Sequence, residues 1–200
     1  QQQQQQQSSG LVINQNSSGT VGPSLWHKPM HPSRLEVFKT LREITDYLII
    51  KAKHPDFKDL SYFTNLRAIN GGRTTDMLQA LSITRTSLVS LNLRSLFHIP
   101  KGKITIEDNP ELCFADTIDW KQLNISRPED VTIRNNAESS KCRAATLQCH
   151  EQCARDGCWG PGPDECLSCN NYKLDEYCVV NCSSTESLGF LSYEESVGTL

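Results

Sequence analysis

The carboxyl-terminal part of the sequence contains the run Cys158-Trp159-Gly160-Pro161-Gly162-Pro163-Asp164-Glu165-Cys166-Leu167-Ser168-Cys169. Seven of the nine cysteines of the chain lie between Cys149 and Cys182, in a segment that has few long apolar runs. Such a segment buries too little apolar surface to offset the conformational entropy that folding removes, so covalent cross-links are needed to hold it. We therefore predict a disulfide-stabilised, extracytoplasmic module.

Closely spaced cysteines can also bind zinc. Cys166-x-x-Cys169 and Cys149-x3-Cys153 would each supply half of a tetrahedral site. Zinc is disfavoured because only one Cys-x2-Cys knuckle is present and His150 stands alone beside it. A redox role is disfavoured too, because no strand-turn-helix pattern surrounds Cys166 and Cys169. Structural disulfides are the preferred interpretation, and we predict neither a metal site nor a cofactor.

Composition and charge exclude several classes of function. The 200 residues carry a net charge of -3 and a pI of about 6.0, which provides no basic surface for nucleic acid. No apolar run approaches the roughly 18 to 20 residues of a membrane span. The chain begins with Gln1 and shows no basic segment followed by an apolar one, so we expect the signal peptide of a secreted protein to be missing.

The amino-terminal residues are polar and repetitive. Gln1 to Gln7 is followed by a stretch rich in Ser, Gly and Asn up to about Thr20. Such a composition cannot form a core, so residues 1–27 are interpreted as a disordered, low-complexity leader.

From Leu35 onward, apolar residues recur at steps of three, in strings whose starts lie about 25 to 30 residues apart. A short β-rich segment follows each string. This repeat predicts a solenoid, in which each coil buries its apolar edge against its neighbours. Amphipathic helices are the alternative, but Ile104-Thr105-Ile106 and Gly71-Gly72 favour strands and tight corners. The strings are Phe38/Leu41/Ile44, Phe63/Leu66/Ile69 and Leu93/Leu96/Ile99.

The Trp-Gly-Pro-Gly-Pro core and the cysteine spacing of residues 149–182 resemble the furin-like cysteine-rich repeats of the epidermal growth factor receptor family of receptor tyrosine kinases. The resemblance implies three disulfides in this module and one, Cys113 to Cys142, that closes the preceding domain. The resemblance leaves Cys182 unpaired, because the cysteine that pairs with this position in the family lies about one short loop downstream. The three implied pairs are Cys149 with Cys158, Cys153 with Cys166 and Cys169 with Cys178.

Three earlier segments, Leu35–Leu48, Leu91–Leu96 and Asn109–Cys113, resemble the second receptor L domain of the same family. In that family the domain is a right-handed β-helix that precedes the second cysteine-rich region. The resemblance therefore implies a mainly β fold, with a receptor L domain at residues 28–142 and a truncated furin-like module at residues 143–200. We expect the L domain to be incomplete at its amino terminus, because the leader stands in place of the first turns.

The resemblance implies a binding module, and the sequence shows no catalytic motif that would make this chain an enzyme. In the family, the second L domain holds half of the growth-factor site. We therefore expect part of a single-pass receptor tyrosine kinase on the extracellular side of the plasma membrane, with the kinase and the membrane span outside this chain. Its expected partners are an epidermal-growth-factor-like protein and, in the full-length parent, a second receptor in a homo- or heterodimer.

By matched position, Lys51, Thr132 and Arg134 are expected to face the ligand. Two alternatives stay open at this point. One is a secreted, truncated receptor that sequesters growth factor, and the other is an L-domain module of the insulin-receptor family. Only flanking sequence separates the receptor fragment from the secreted decoy.

Several other polar residues have candidate roles. Three sequons begin at Asn16, Asn124 and Asn181 and predict glycosylation, although Cys182 lies inside the third. His27 and His31 are four residues apart, but Pro29 and Pro32 disfavour the helix that a metal-binding pair would need. The acidic residues Asp56, Asp59, Glu107 and Asp108 are interpreted as solvated turns.

Overall fold

The computed structural model describes residues 7–8, 10–15, 31–72, 78–125 and 127–181. Within them the chain is mainly β, as predicted, with one short α-helix, α1 (Ser139–Ala144), and four 3-10 helices at Pro32–Phe38, Ser61–Phe63, Trp120–Leu123 and Pro128–Asp130. The ten strands are β1 (Gln7–Ser8), β2 (Leu11–Gln15), β3 (Glu43–Ile44), β4 (Leu48–Ala52), β5 (Ala68–Ile69), β6 (Gln79–Thr84), β7 (Lys103–Glu107), β8 (Val131–Arg134), β9 (Tyr172–Leu174) and β10 (Tyr177–Val179).

Eight of these strands form two open parallel sheets. The three-stranded sheet has the order β1-β3-β5, and the five-stranded sheet has the order β2-β4-β6-β7-β8. From β1 to β6 the chain alternates between the two sheets, so each pass adds one strand to both. This is the stacking that the sequence repeat predicts. The right-handed sense of a β-helix stays a prediction.

A column of isoleucines joins the coils on the inward side of the larger sheet. Parallel pairing places Ile13 beside Ile50, Ile50 beside Ile83, Ile83 beside Ile106 and Ile106 beside Ile133. The three central members are fully buried. β-Branched side chains suit the pleated surface, and full burial of each contributes roughly 1.5 to 3 kcal/mol.

The apolar strings with a spacing of three run through the corners, and two of them end in strands, at Ile44 of β3 and Ile69 of β5. Phe63 N donates to Leu60 O at 2.8 Å and Leu66 N donates to Phe63 O at 2.9 Å, which are hydrogen bonds between residues three apart. Such turns eclipse side chains at positions i and i+3, so successive apolar residues point into the core. Eight of the nine string residues are buried, and the ninth, Phe38, is half-buried and stacks on Phe63 with ring centroids 5.5 Å apart.

The interpretation of residues 1–27 as a disordered leader is wrong for strands β1 and β2. Strand β2 pairs with β4 over its whole length, Leu11 N donates to Tyr47 O at 2.8 Å, and Ile13 is 5% exposed within the core. Strand β4 supplies the backbone hydrogen bonds of β2, and the inward side chains of Leu11 and Ile13 pack against the core. Together they stabilise a short strand between polar segments. The solenoid therefore begins before residue 28. The other residues of the predicted leader, except Gly10, lie outside the described residues.

The cysteine-rich segment contains three disulfides, Cys149–Cys158, Cys153–Cys166 and Cys169–Cys178, and Cys113–Cys142 joins the solenoid end to α1. These are the pairs that the family resemblance implies; Cys182 lies outside the described residues. Trp159 is buried and meets Trp120 edge to face, with ring centroids 5.9 Å apart. Its carbonyl accepts a hydrogen bond from Asn92 N at 3.1 Å. The module therefore packs directly on the solenoid.

Candidate functional site

The side chains that point away from the core of the five-stranded sheet form two rows, which we call the outward face. Strand residues alternate between the two sides of a sheet, so parallel pairing aligns the same parity across all five strands. The first row is Val12, Ile49, Ser82, Thr105 and Thr132, and the second is Asn14, Lys51, Thr84, Glu107 and Arg134.

The structure brings all three predicted ligand-binding residues to this outward face. Lys51 lies on β4 and is exposed, and Thr132 and Arg134 lie on the edge strand β8 and are exposed as well. β4 and β8 are separated by β6 and β7. Three steps of about 4.8 Å place Lys51 and Arg134 about 14 Å apart across the sheet. A surface of that width suits a protein ligand better than a small molecule.

The middle of the outward face contributes little exposed surface. Ser82 and Thr84 on β6 are 1% and 8% exposed. On either side the surface is open, with Val12 55% exposed on β2 and Thr132 exposed on β8. A ligand would therefore meet two regions. The region around β2 and β4 carries the apolar Val12 and Ile49, the amide of Asn14 and the cation of Lys51, and the region at β8 carries a hydroxyl and a guanidinium.

Arg134 is held in place by a residue that sequence reasoning assigned to a solvated turn. Glu107 is the last residue of β7, and its Oε2 accepts a hydrogen bond from Arg134 Nε at 2.6 Å. This hydrogen bond and the negative charge of Glu107 raise the pKa of Arg134. The carboxylate offsets much of the charge at β8. Among the described residues, no carboxylate lies within ion-pair distance of Lys51, so Lys51 is the less compensated cation of the face.

The face carries apolar, hydroxyl, amide and charged side chains, and none of its ten residues is a histidine or a cysteine. The apolar and hydroxyl groups can pack against and hydrogen-bond to a partner, and the cations can steer an acidic group toward it. These groups are suited to recognition and do not form a nucleophile-and-base pair.

The Trp-Gly-Pro-Gly-Pro turn fixes the cysteine-rich module against the solenoid. Gly162 N donates to Glu165 Oε2 at 2.7 Å, and Arg94 of the solenoid pairs with Asp164. Burial raises the pKa of Glu165, which is 8% exposed. A Cβ on Gly160 would lie 2.4 Å from Glu165 Oε1, so a larger residue at that position would displace the carboxylate.

The structure describes only some residues of the three predicted glycosylation sites. Asn124 is exposed and has a left-handed backbone with φ of 54° at the end of the 3-10 helix Trp120–Leu123. Asn181 is exposed as well. Asn16 lies outside the described residues, as do Ser126 and Cys182, which belong to the other two sequons. Glycosylation therefore stays a prediction at all three positions.

Comparison with protein families finds two matches in the order that the structure displays. The family described as receptor L domain matches residues 7–124, and the family described as growth factor receptor domain IV matches residues 148–196. The first match begins at β1, in agreement with the strands found before residue 28. Both families are extracellular receptor domains, and neither is a kinase domain.

Individual relatives show the same similarity. The chain is 45% identical over 158 residues to the epidermal growth factor receptor of Apis mellifera, which covers 79% of the chain and 12% of that receptor. It is 39% identical over 180 residues to the epidermal growth factor receptor of Drosophila melanogaster, covering 86% of the chain and 12% of the receptor. It is also 39% identical over 152 residues to the receptor tyrosine-protein kinase erbB-4 of Mus musculus, with 76% and 12% covered.

The chain thus spans about an eighth of the length of each of these relatives. Among the residues that the structure describes, no helix has the length and hydropathy needed to cross a membrane. The alternatives of a secreted decoy and of an insulin-receptor module receive no support from these comparisons.

Proposed function

This chain belongs to the epidermal growth factor receptor family, with a receptor L domain followed by growth factor receptor domain IV, and on that basis we propose that it binds an epidermal-growth-factor-like protein on its outward face. The observation that supports the proposal is the common placement of Lys51, Thr132 and Arg134. The three side chains come from strands that are about 80 residues apart in sequence, yet they point to the same side of one sheet.

The proposal extends to the whole receptor of which this chain would be a part. The chain would form part of the extracellular region of a single-pass receptor tyrosine kinase at the plasma membrane. The ligand would connect this L domain to another L domain of the receptor and favour receptor dimerisation, while the cysteine-rich module acts as a spacer. Four disulfides suit this oxidising compartment.

Finer features of the fold belong to the same proposal. We propose that the stacked coils turn in the right-handed sense of the family's β-helix, and that the boundary between the L domain and the cysteine-rich module lies near residues 142 and 143. An N-linked glycan is proposed at Asn124, whose exposed side chain leaves room for one.

Charge reversal on the outward face tests the proposed site. Lys51→Glu and Arg134→Glu are compared with the wild-type chain by calorimetric titration with an epidermal-growth-factor-like protein. Removal of a rim cation changes the association rate and the salt dependence of binding. Because family ligands engage two L domains, the chain alone forfeits an effective concentration gain of roughly 10² to 10⁴ and is expected to bind weakly.

The matched control is Lys173→Glu, which reverses an exposed lysine on β9 of the cysteine-rich module. It is expected to leave binding unchanged. Binding that is unaffected by Lys51→Glu and Arg134→Glu, or that is weakened only by Lys173→Glu, would place the ligand on another surface.

A further inference from the structure

Two histidines and an aspartate meet at the surface where the first 3-10 helix lies beside the turn after β4. His31 is the N-cap of the helix Pro32–Phe38, and His54 and Asp56 lie just beyond β4. One nitrogen of each imidazole and one oxygen of Asp56 all lie within 4.8 Å of one another. His31 Nε2 is 3.3 Å from Asp56 Oδ2, and His54 Nδ1 is 3.8 Å from the same oxygen.

These separations are close to those of a metal site. Tetrahedral zinc with ligand bonds of about 2.0 to 2.2 Å requires donor atoms about 3.3 to 3.6 Å apart. The two rings meet edge to face with centroids 5.2 Å apart, so both can direct a nitrogen toward a shared point. Small rotations of the exposed His31 and Asp56 side chains would bring the three donors to coordination distance.

The orientation of His31 is set by a neighbouring serine. Ser33 N donates to His31 Nδ1 at 3.2 Å, and Ser33 Oγ lies 2.8 Å from the same nitrogen. The other nitrogen, Nε2, is thereby directed at Asp56. A metal-binding histidine donates the N–H of its other ring nitrogen. Zinc bound at Nε2 would therefore place the ring proton on Nδ1, where Ser33 Oγ would accept it and the exposed Ser33 N–H would turn to water.

His54 is the least exposed of the three ligands, with a side-chain exposure of 19% against 57% for His31 and 64% for Asp56. Its Nδ1 accepts a hydrogen bond from Asp56 N at 3.1 Å. A metal that takes this nitrogen would replace that hydrogen bond, and the exposed turn leaves the freed N–H open to water.

The surroundings carry charges of both signs. Burial raises the pKa of the nearby Tyr62 hydroxyl, and the negative charges of Asp59, Glu36 and Asp56 raise it further, against an opposing effect of Lys39. Glu36 is paired with Lys39 at 2.6 Å, so Asp59 is the further carboxylate that adds to the attraction of a cation by Asp56.

We propose that His31, His54 and Asp56 form a surface Zn²⁺ site, with water completing the tetrahedron. Imidazole and carboxylate ligands suit zinc. The metal would link the helix Pro32–Phe38 to the turn after β4 and so brace the first coils of the solenoid. The site is separate from the outward face, and its test does not depend on growth-factor binding.

Isothermal titration of the untagged, disulfide-intact chain with zinc chloride tests the site, in a Cys182→Ser background that removes a possible thiol ligand. His31→Gln and Asp56→Asn each remove one donor and are expected to lower zinc affinity by about 100-fold or more, and Ser33→Ala by about 10-fold, the range that supporting residues of metal sites show. The matched control His98→Gln removes an imidazole outside the cluster and should leave the affinity unchanged.

Thermal unfolding provides a second readout, because a metal that binds only the folded chain raises its melting temperature. Zinc is expected to raise it for the wild type and not for His31→Gln/His54→Gln, while the control pair His98→Gln/His150→Gln responds like the wild type. Absence of zinc binding to the folded wild type, or equal binding to folded His31→Gln/His54→Gln, would overturn the proposal.

Discussion

Substitution of the buried Asn109 by alanine is expected to destabilise the solenoid strongly, because this side chain connects three coils. Asn109 is fully buried, and its Nδ2 donates to Ile83 O and to Asn136 Oδ1, both at 3.0 Å. Its Oδ1 accepts hydrogen bonds from Thr86 N at 2.9 Å and from Thr86 Oγ at 2.8 Å.

The magnitude follows from the groups that would lose their partner. Three of the four hydrogen bonds involve the buried Thr86 or the backbone of the buried Ile83. At roughly 1 kcal/mol for each bond, with an added penalty for an unpaired buried N–H, Asn109→Ala should lower the free energy of unfolding by about 3 to 4 kcal/mol.

Urea unfolding of the disulfide-intact chain measures this loss, provided that the wild type and the variant share one slope. Asn65→Ala is the control: this asparagine is exposed and, within the described part of the chain, its Nδ2 donates to Lys39 O, so a loss below about 1 kcal/mol is expected. Thr86→Val removes the hydroxyl bond to Asn109 and the acceptor of Leu88 N, so it should cost about 1 to 2 kcal/mol alone and about 1 kcal/mol less in the Asn109→Ala background, where the shared bond is already lost. A loss for Asn109→Ala no larger than that for Asn65→Ala, or full additivity with Thr86→Val, would refute the role assigned to this asparagine.

Two further predictions concern the core and the cysteine-rich module. Leu96→Ala, at a corner residue that is 3% exposed, should lower the free energy of unfolding by about 2 to 5 kcal/mol. Val37→Ala, at a residue that is 72% exposed, should lower it little. Equal losses for the two variants in urea unfolding would show that the corner string is not a core element. Since burial raises the pKa of Glu165, ionisation of that carboxyl opposes folding, and the stability that its neutral form provides is lost as pH rises above the ordinary glutamate value of 4.5. Glu165→Gln keeps an oxygen for Gly162 N and removes the charge, so it should be more stable than the wild type at neutral pH and match it below pH 4.5; a variant that is less stable at neutral pH would contradict this reasoning.

The corners were predictable because local geometry determines them, and the disulfide pairs were implied by the resemblance of the cysteine-rich segment to a known family. A turn with hydrogen bonds between residues three apart repeats the apolar side chain at the same interval, so Phe63, Leu66 and Ile69 were recognisable as core residues. Strand β2 was missed because its apolar run, Leu11-Val12-Ile13, is only three residues long and lies between polar stretches. Pairing with β4 explains why this short segment is ordered.

The polar pairs of the surface were not predictable, because the stacking of coils creates them. Arg134 meets Glu107 from a position 27 residues away, and this depends on the register between β7 and β8. His31 was considered with His27 as a helical pair, yet the structure places it against Asp56 and His54 from the next coil. Spacing along the chain gives no signal for contacts that only the solenoid register determines.

The central claim, that the outward face binds an epidermal-growth-factor-like protein, is tested most directly by site-specific photo-cross-linking. A genetically encoded benzophenone side chain is placed in turn at positions 51, 132 and 173, and the chain is irradiated with the growth factor. Lys51 and Thr132 lie on the outward face, and Lys173 lies on β9 of the cysteine-rich module. We predict covalent complexes from positions 51 and 132 and none from position 173. Cross-links from position 173 alone, with none from the outward face, would contradict the account.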